Sequence, residues 1–121
     1  ATDVGGGTNY SMLRTMDEGY KVIALQGRKI NPLASFWQIT RGNAEALSLA
    51  ERIGTLEQGT DADLVVLDAR ATPAMRLRME TIETLAQELF LLQTLGDDRA
   101  VAQTYIAGKP VKDKPVKDKA G

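Results

Sequence analysis

Ala62-Asp63-Leu64-Val65-Val66-Leu67-Asp68, reached through Ile53-Gly54-Thr55-Leu56 and the turn Gly59-Thr60-Asp61, is the stretch from which the rest of the chain is read. It predicts a strand, and because its apolar run is continuous rather than alternating, it predicts one covered on both faces. Downstream, Thr72-Pro73 pairs a capping hydroxyl with a proline that loses no hydrogen bond at the first helical position. Met75, Met79, Ile82, Ala86, Leu89, Phe90 and Gln93 then follow a helical face until Gly96, as one long helix or two joined near Thr81. Asp97-Asp98-Arg99 reads as a turn. Val101 to Ile106 carries the β-branched and aromatic residues of a strand, and Ala107-Gly108-Lys109 turns the chain back toward Val111, closing a hairpin.

Upstream of the strand the periodicity is helical. Leu13, Met16, Tyr20 and Ile23 form one stripe of a helix from about Ser11 to Gln26, stopped by Gly27 and Arg28-Lys29. Asn31-Pro32 starts a short helix expected to carry Leu33, Phe36, Trp37 and Thr40 inward and to break at Gly42, where Asn43 can cap a second piece from Ala44 to Ala50. The opening residues, Ala1 to Gly7, have no room for an element before three consecutive glycines and read as the tail of something followed by a loop. The fold class is α+β.

Composition narrows the chemistry. The chain has 121 residues, 43% hydrophobic and 26% charged, the size and balance of one globular domain or part of a larger one. It contains no His and no Cys, so it cannot alone supply a Ser-His-Asp triad, a cysteine nucleophile, a structural zinc cluster or an imidazole metal site. The absence of cysteine is compatible with a reducing compartment, and a cytoplasmic location is expected. A net charge of −1 creates no field that would recruit nucleic acid, and no stretch is apolar enough for a membrane span, so neither partner is expected. The charge is uneven, however. Lys109 to Gly121 hold five Lys against two Asp, with Lys109-Pro110-Val111-Lys112-Asp113 repeated as Lys114-Pro115-Val116-Lys117-Asp118; residues 112–121 read as an extended, solvated basic tail.

Few residues invite a catalytic reading. The triple glycine could cradle a phosphate, but no Gly-Lys-Ser/Thr follows and no G-x-G-x-x-G is present, so a connector is the better reading. Asp97-Asp98, and Asp61 with Asp63, lie in turn signals where aspartate makes local hydrogen bonds. Met12, Met16, Met75 and Met79 are spaced as core-filling residues, and Phe36-Trp37 read as core anchors rather than base-stacking rings. Asp3, beside the glycine loop, is a lone carboxylate.

Taken in order, Thr2-Asp3-Val4-Gly5-Gly6-Gly7, Asn31-Pro32-Leu33, Ile39-Thr40-Arg41-Gly42-Asn43-Ala44-Glu45-Ala46-Leu47, Ile53-Gly54-Thr55-Leu56, Ala62 to Asp68 and Thr94-Leu95-Gly96-Asp97-Asp98-Arg99 resemble the C-terminal third of the guanine deaminases, a branch of the metal-dependent amidohydrolases. The likeness spans about residues 1–111 and departs at the Lys-Pro repeat. It implies a (β/α)8 barrel hydrolase with a small β-sandwich, turning guanine and water into xanthine and ammonia at one zinc. On that likeness residues 1–50 are the end of the barrel, 51–111 are sandwich strands with intervening helices, and 112–121 are the tail. It further implies that Asp3, in the Thr-Asp at the end of the eighth barrel strand, is both the catalytic carboxylate and a metal contact.

A barrel needs about 250 residues, and the histidines that hold the family's zinc lie on earlier strands. The chain alone is therefore expected to bind no zinc and to be catalytically silent, with its partner either the upstream barrel segment of the same enzyme or a second copy, and with a small purine as ligand only of the complete enzyme. The alternative is a non-catalytic, self-associating α+β domain, whose helices would seek a partner for their apolar stripes. An anion-binding role for the Lys repeat is weaker still, since five Lys are diluted by two Asp.

Overall fold

The computed structural model describes residues 2–3 and 5–111. Helix α1 spans Met12–Leu25; the Ser11 hydroxyl accepts from the Arg14 amide, and Gly27, at φ +72°, lets the chain leave the last turn. Helix α2, Pro32–Trp37, begins at Asn31, whose side chain accepts from Leu33 N–H at 2.9 Å. Both starts agree with the sequence reading.

The expected break at Gly42 does not occur. A π-helical turn, Gln38–Gly42, runs straight into α3, Asn43–Ala46, so Asn43 lies inside a helix rather than capping one. Gly42 serves packing: a Cβ there would come within 2.9 Å of the Trp37 ring. The helix expected to reach Ala50 ends after Ala46, where Ser48 takes φ +58°. The inward face of α2 is also rotated from the expected one. Phe36 and Ile39 pack on the core and Ser35 is buried, whereas Leu33 and Trp37, which share the neighbouring face at i, i+4, are about half exposed, and Thr40 is exposed.

Three short strands make one antiparallel sheet in the order β1-β2-β3: β1 Leu64–Leu67, β2 Val101–Ile106 and β3 Lys109–Pro110. Leu64 stands opposite Tyr105 and Leu67 opposite Val101, with an irregularity between Val66 and Leu67. Ala107 (φ +47°) and Gly108 (φ +74°) form the tight turn between β2 and β3, the handedness that two-residue hairpins need. Asp63 braces that turn by accepting from Ala107 N–H at 2.8 Å. The sheet corrects one expectation: Val65 and Val66 are 53% and 43% exposed, so β1 is not covered on both faces. With β2 as its one neighbour among the described residues, β1 is an edge strand, and Leu67 is its residue that reaches the core.

Of the two readings of this stretch, one long helix or two joined near Thr81, the structure takes the second. Helix α4, Pro73–Met79, is capped by the Thr72 hydroxyl, and α5, Leu85–Leu95, by a reciprocal Thr84–Gln87 capping box. Helices α1, α2 and α4 pack against α5, and the core gathers Leu13, Met16, Ala69, Met75, Leu91, Leu92 and Ala100. Met75 and Ala100 are wholly buried, the latter joining sheet to helices just before β2. No helix among the described residues is long and apolar enough to cross a membrane. The basic tail, 112–121, lies outside the described residues.

Candidate active-site loop

Asp3 sits at the start of a tight loop. Its backbone is in the left-handed region at φ +49°, a conformation that aspartate tolerates better than most residues, and its carbonyl accepts from Gly7 N–H. Gly5 continues at φ +116°, which suits only glycine. A Cβ on Gly7 would overlap the Thr2 carbonyl oxygen, while a Cβ on Gly6 would stand 2.9 Å from Asp3 Oδ2. The glycines thus allow the loop to fold back over the carboxylate, which is exposed.

Elsewhere the acidic residues cap a turn or pair with basic side chains. Asp97 caps the 3-10 turn Asp98–Ala100 and grips Arg99 with both carboxylate oxygens, at 2.6 Å to the guanidinium Nη2. That hydrogen-bonded guanidinium holds the Asp97 carboxyl below its ordinary 3.8 and pushes Arg99 higher in turn. Asp61 pairs with Arg52 at 2.9 Å. Asp17, buried on α1, is bound by Lys21 at 2.6 Å, with Arg14 at 4.0 Å. The spacing of Asp17 and Lys21 at i, i+4 was readable as a helix pair, but the burial of Asp17 depends on what packs across α1. Met16 and Met75 fill the core and Met79 and Phe36 pack against it as expected, whereas Met12 is half-buried and lines a groove, and Trp37, half exposed, is not part of the core.

The larger groove, about 1310 Å3, lies between the start of α1 and the sheet and is lined by Met12, Phe36, Leu56, Leu64, Tyr105 and Ile106, with Asp63, Asp97 and Asp98 among its charged residues. Asp3 does not line it. A second groove, about 920 Å3, runs along α4 and α5 past Tyr20, Lys29, Leu77, Arg78 and Phe90. Neither brings together the groups a hydrolytic reaction needs.

A catalytic zinc takes three protein ligands. Among the described residues no three His, Cys, Asp or Glu converge. Asp3 offers one carboxylate, and the described residues do not fit a complete metal site on their own.

Comparison with known proteins gives the loop its context. A model of the amidohydrolase family matches residues 3–112. The guanine deaminase of Escherichia coli (strain K12) is 41% identical over 113 residues, 93% of this chain and 26% of that protein, and the guanine deaminase of Rattus norvegicus is 32% identical over 121 residues, 91% and 26%. Among solved structures, that of the E. coli guanine deaminase superposes with a TM-score of 0.91 at 40% identity over 94% of this chain and 27% of its own. The guanine deaminase from Bradyrhizobium japonicum superposes at 0.79 with 32% identity, over 94% and 30%. The chain thus spans about a quarter of the length of the relatives it matches, rather than the third the motifs suggested. Matched from the Asp3 loop through the sheet to the start of the basic tail, the chain belongs to the amidohydrolase family.

Proposed function

We propose that this chain is the closing segment of a zinc-dependent guanine deaminase, catalytically silent by itself, with residues 1–50 ending the barrel and 51–111 contributing to the sandwich. The observation that carries the reading is the TM-score of 0.91 at 40% identity to the E. coli guanine deaminase over nearly the whole chain. The reaction needs a base to take a proton from water and deliver it to the departing amine. Asp3 is the group assigned to that work, because an exposed carboxylate at the entry of a glycine loop can face a reactant on one side while its backbone is fixed on the other. A zinc, where bound, supplies charge stabilisation and a more acidic water. Its imidazoles have no counterpart in a chain without histidine, so they are assigned to the preceding part of the enzyme. A cytoplasmic setting fits a chain without cysteine.

The test is reconstitution. The chain alone is expected to release no ammonia from guanine, and adding the preceding segment is expected to restore turnover, which Asp3→Asn then lowers by roughly 10²- to 10⁴-fold, the range of a general acid–base group. Turnover by the chain alone would sink the claim of silence; a folded complex without deaminase activity would sink the function itself. A second reading, self-association, is favoured by one observation: Leu25, Leu56 and Tyr10 are each more than three-quarters exposed.

A further inference from the structure

The glycines beside Asp3 are not equivalent. At Gly7 a Cβ would meet backbone, the carbonyl oxygens of Thr2 and Asp3, so a side chain there is incompatible with the loop itself. Among the described residues, the nearest atom to such a Cβ at Gly6 is Asp3 Oδ2 at 2.9 Å, followed by Asp3 Cγ at 3.6 Å and the Asp3 carbonyl oxygen at 3.8 Å. The obstacle is the free end of a side chain, which can rotate away. An alanine at position 6 therefore costs the fold little but moves the carboxylate. Gly6 also has no positive φ to preserve, unlike Gly5, so its lack of a side chain is not explained by backbone conformation.

We infer that Gly6 is a positioning residue, whose missing side chain leaves open the space that the Asp3 carboxylate occupies and so permits the orientation in which that carboxylate faces its reactant. The inference rests on the reading of Asp3 as the catalytic carboxylate. Gly7 and the Gly7 N–H to Asp3 carbonyl bond hold the backbone of the loop. Gly6 acts on the side chain. A side chain there would press on the group assigned to move the proton, and misplacing a catalytic group by about 1 Å can cost about 10²-fold in rate.

The experiment is a double-mutant cycle in the complete enzyme carrying this chain as its closing segment. Gly6→Ala is expected to lower kcat about tenfold, short of the 10²-fold that a 1 Å misplacement costs, with KM within about twofold and the thermal midpoint unchanged. In an Asp3→Asn background the same alanine is expected to lower the residual turnover no further, since it acts through a carboxylate already removed. Wild-type kcat in Gly6→Ala, or an equal loss in both backgrounds, overturns the inference. Full turnover by Asp3→Asn would instead overturn the underlying reading of Asp3, so the two failures are distinct. If the assembled enzyme shows no turnover to compare, the 13C shift of the Asp3 carboxyl in this chain at neutral pH decides: a shift on Gly6→Ala, with the amide spectrum of the α1–α5 core retained, supports the inference, and an unmoved resonance overturns it.

Discussion

Gln93 is almost wholly buried on α5, yet its side-chain oxygen has no hydrogen-bond partner among the described residues, and its amide reaches the Met16 carbonyl only at 3.4 Å. An unsatisfied buried acceptor costs on the order of 1–3 kcal/mol, so Gln93→Met, close in volume, is expected to raise stability by about 1 kcal/mol in urea unfolding; destabilisation would mean that the amide is satisfied after all. Asp97 carries the opposite sign. Its cap on the 3-10 turn and its fork on Arg99 make Asp97→Ala destabilising by about 1 kcal/mol at neutral pH. A carboxyl whose folded value lies below its unfolded one contributes stability above the unfolded value, here near 3.8, and loses it as the pH falls through the lower one. The gap between wild type and Asp97→Ala should therefore hold at neutral pH and narrow in acid below about 4; a gap independent of pH would show that the charge plays no part. Residue identity was legible at Asn31, Thr72 and Asp97, whose side chains bond the neighbouring backbone as their chemistry suggested, whereas the cap expected at Asn43 does not form and the Thr84–Gln87 capping box was not read. Gly42, Gly54 and Gln93 were not legible, because each answers to a neighbour distant in sequence or to a crowding that composition does not record. Gly54, for instance, leaves room for the Ala44 methyl, 2.8 Å from where its own Cβ would lie.

Elements were legible to the extent that capping and local periodicity decide them. Starts at Ser11, Asn31 and Thr72 and the strand at Val101 agree with the structure, while the rotation of α2 and the continuity through Gly42 were set by packing on α5 and against Trp37. Helix α5 is where a single element can be tested cleanly. It lies at the centre of the helical layer, and its capping box joins the Thr84 hydroxyl to the Gln87 amide at 3.3 Å and the Gln87 side chain back to the Thr84 amide at 3.1 Å. Thr84→Ala removes an exposed hydroxyl that touches nothing in the core, so its whole effect is on the helix start. A loss of about 1 kcal/mol, corresponding to about 4–8 °C in a domain near this size, is expected in a thermal melt. No shift would mean that α5 is held by its neighbours alone.

At the scale of the molecule, a helical layer and a small sheet meet through Leu67, Ala69 and Ala100, leaving the 1310 Å3 groove open beside the sheet. Leu56, Val65 and Ile106 line it with large exposed surfaces. This arrangement predicts that the isolated chain associates: light scattering should give a mass that grows with concentration, and addition of the preceding segment should return it to a defined complex. A monomer at high concentration would count against it. The site was less legible than the fold for a physical reason, since Asp3 stands out from other lone aspartates only through its resemblance to a family, and no cluster of metal-binding side chains among the described residues marks it. The edge of β1 carries one more consequence. A short valine-rich strand with one hydrogen-bonding rim unpaired among the described residues is a template on which further strands can stack, and Leu64–Leu67 is bracketed by the negative charges of Asp63 and Asp68. Those two charges repel their equivalents on an incoming chain, acting as gatekeepers against fibrous growth, and added salt, by screening them, would release that brake.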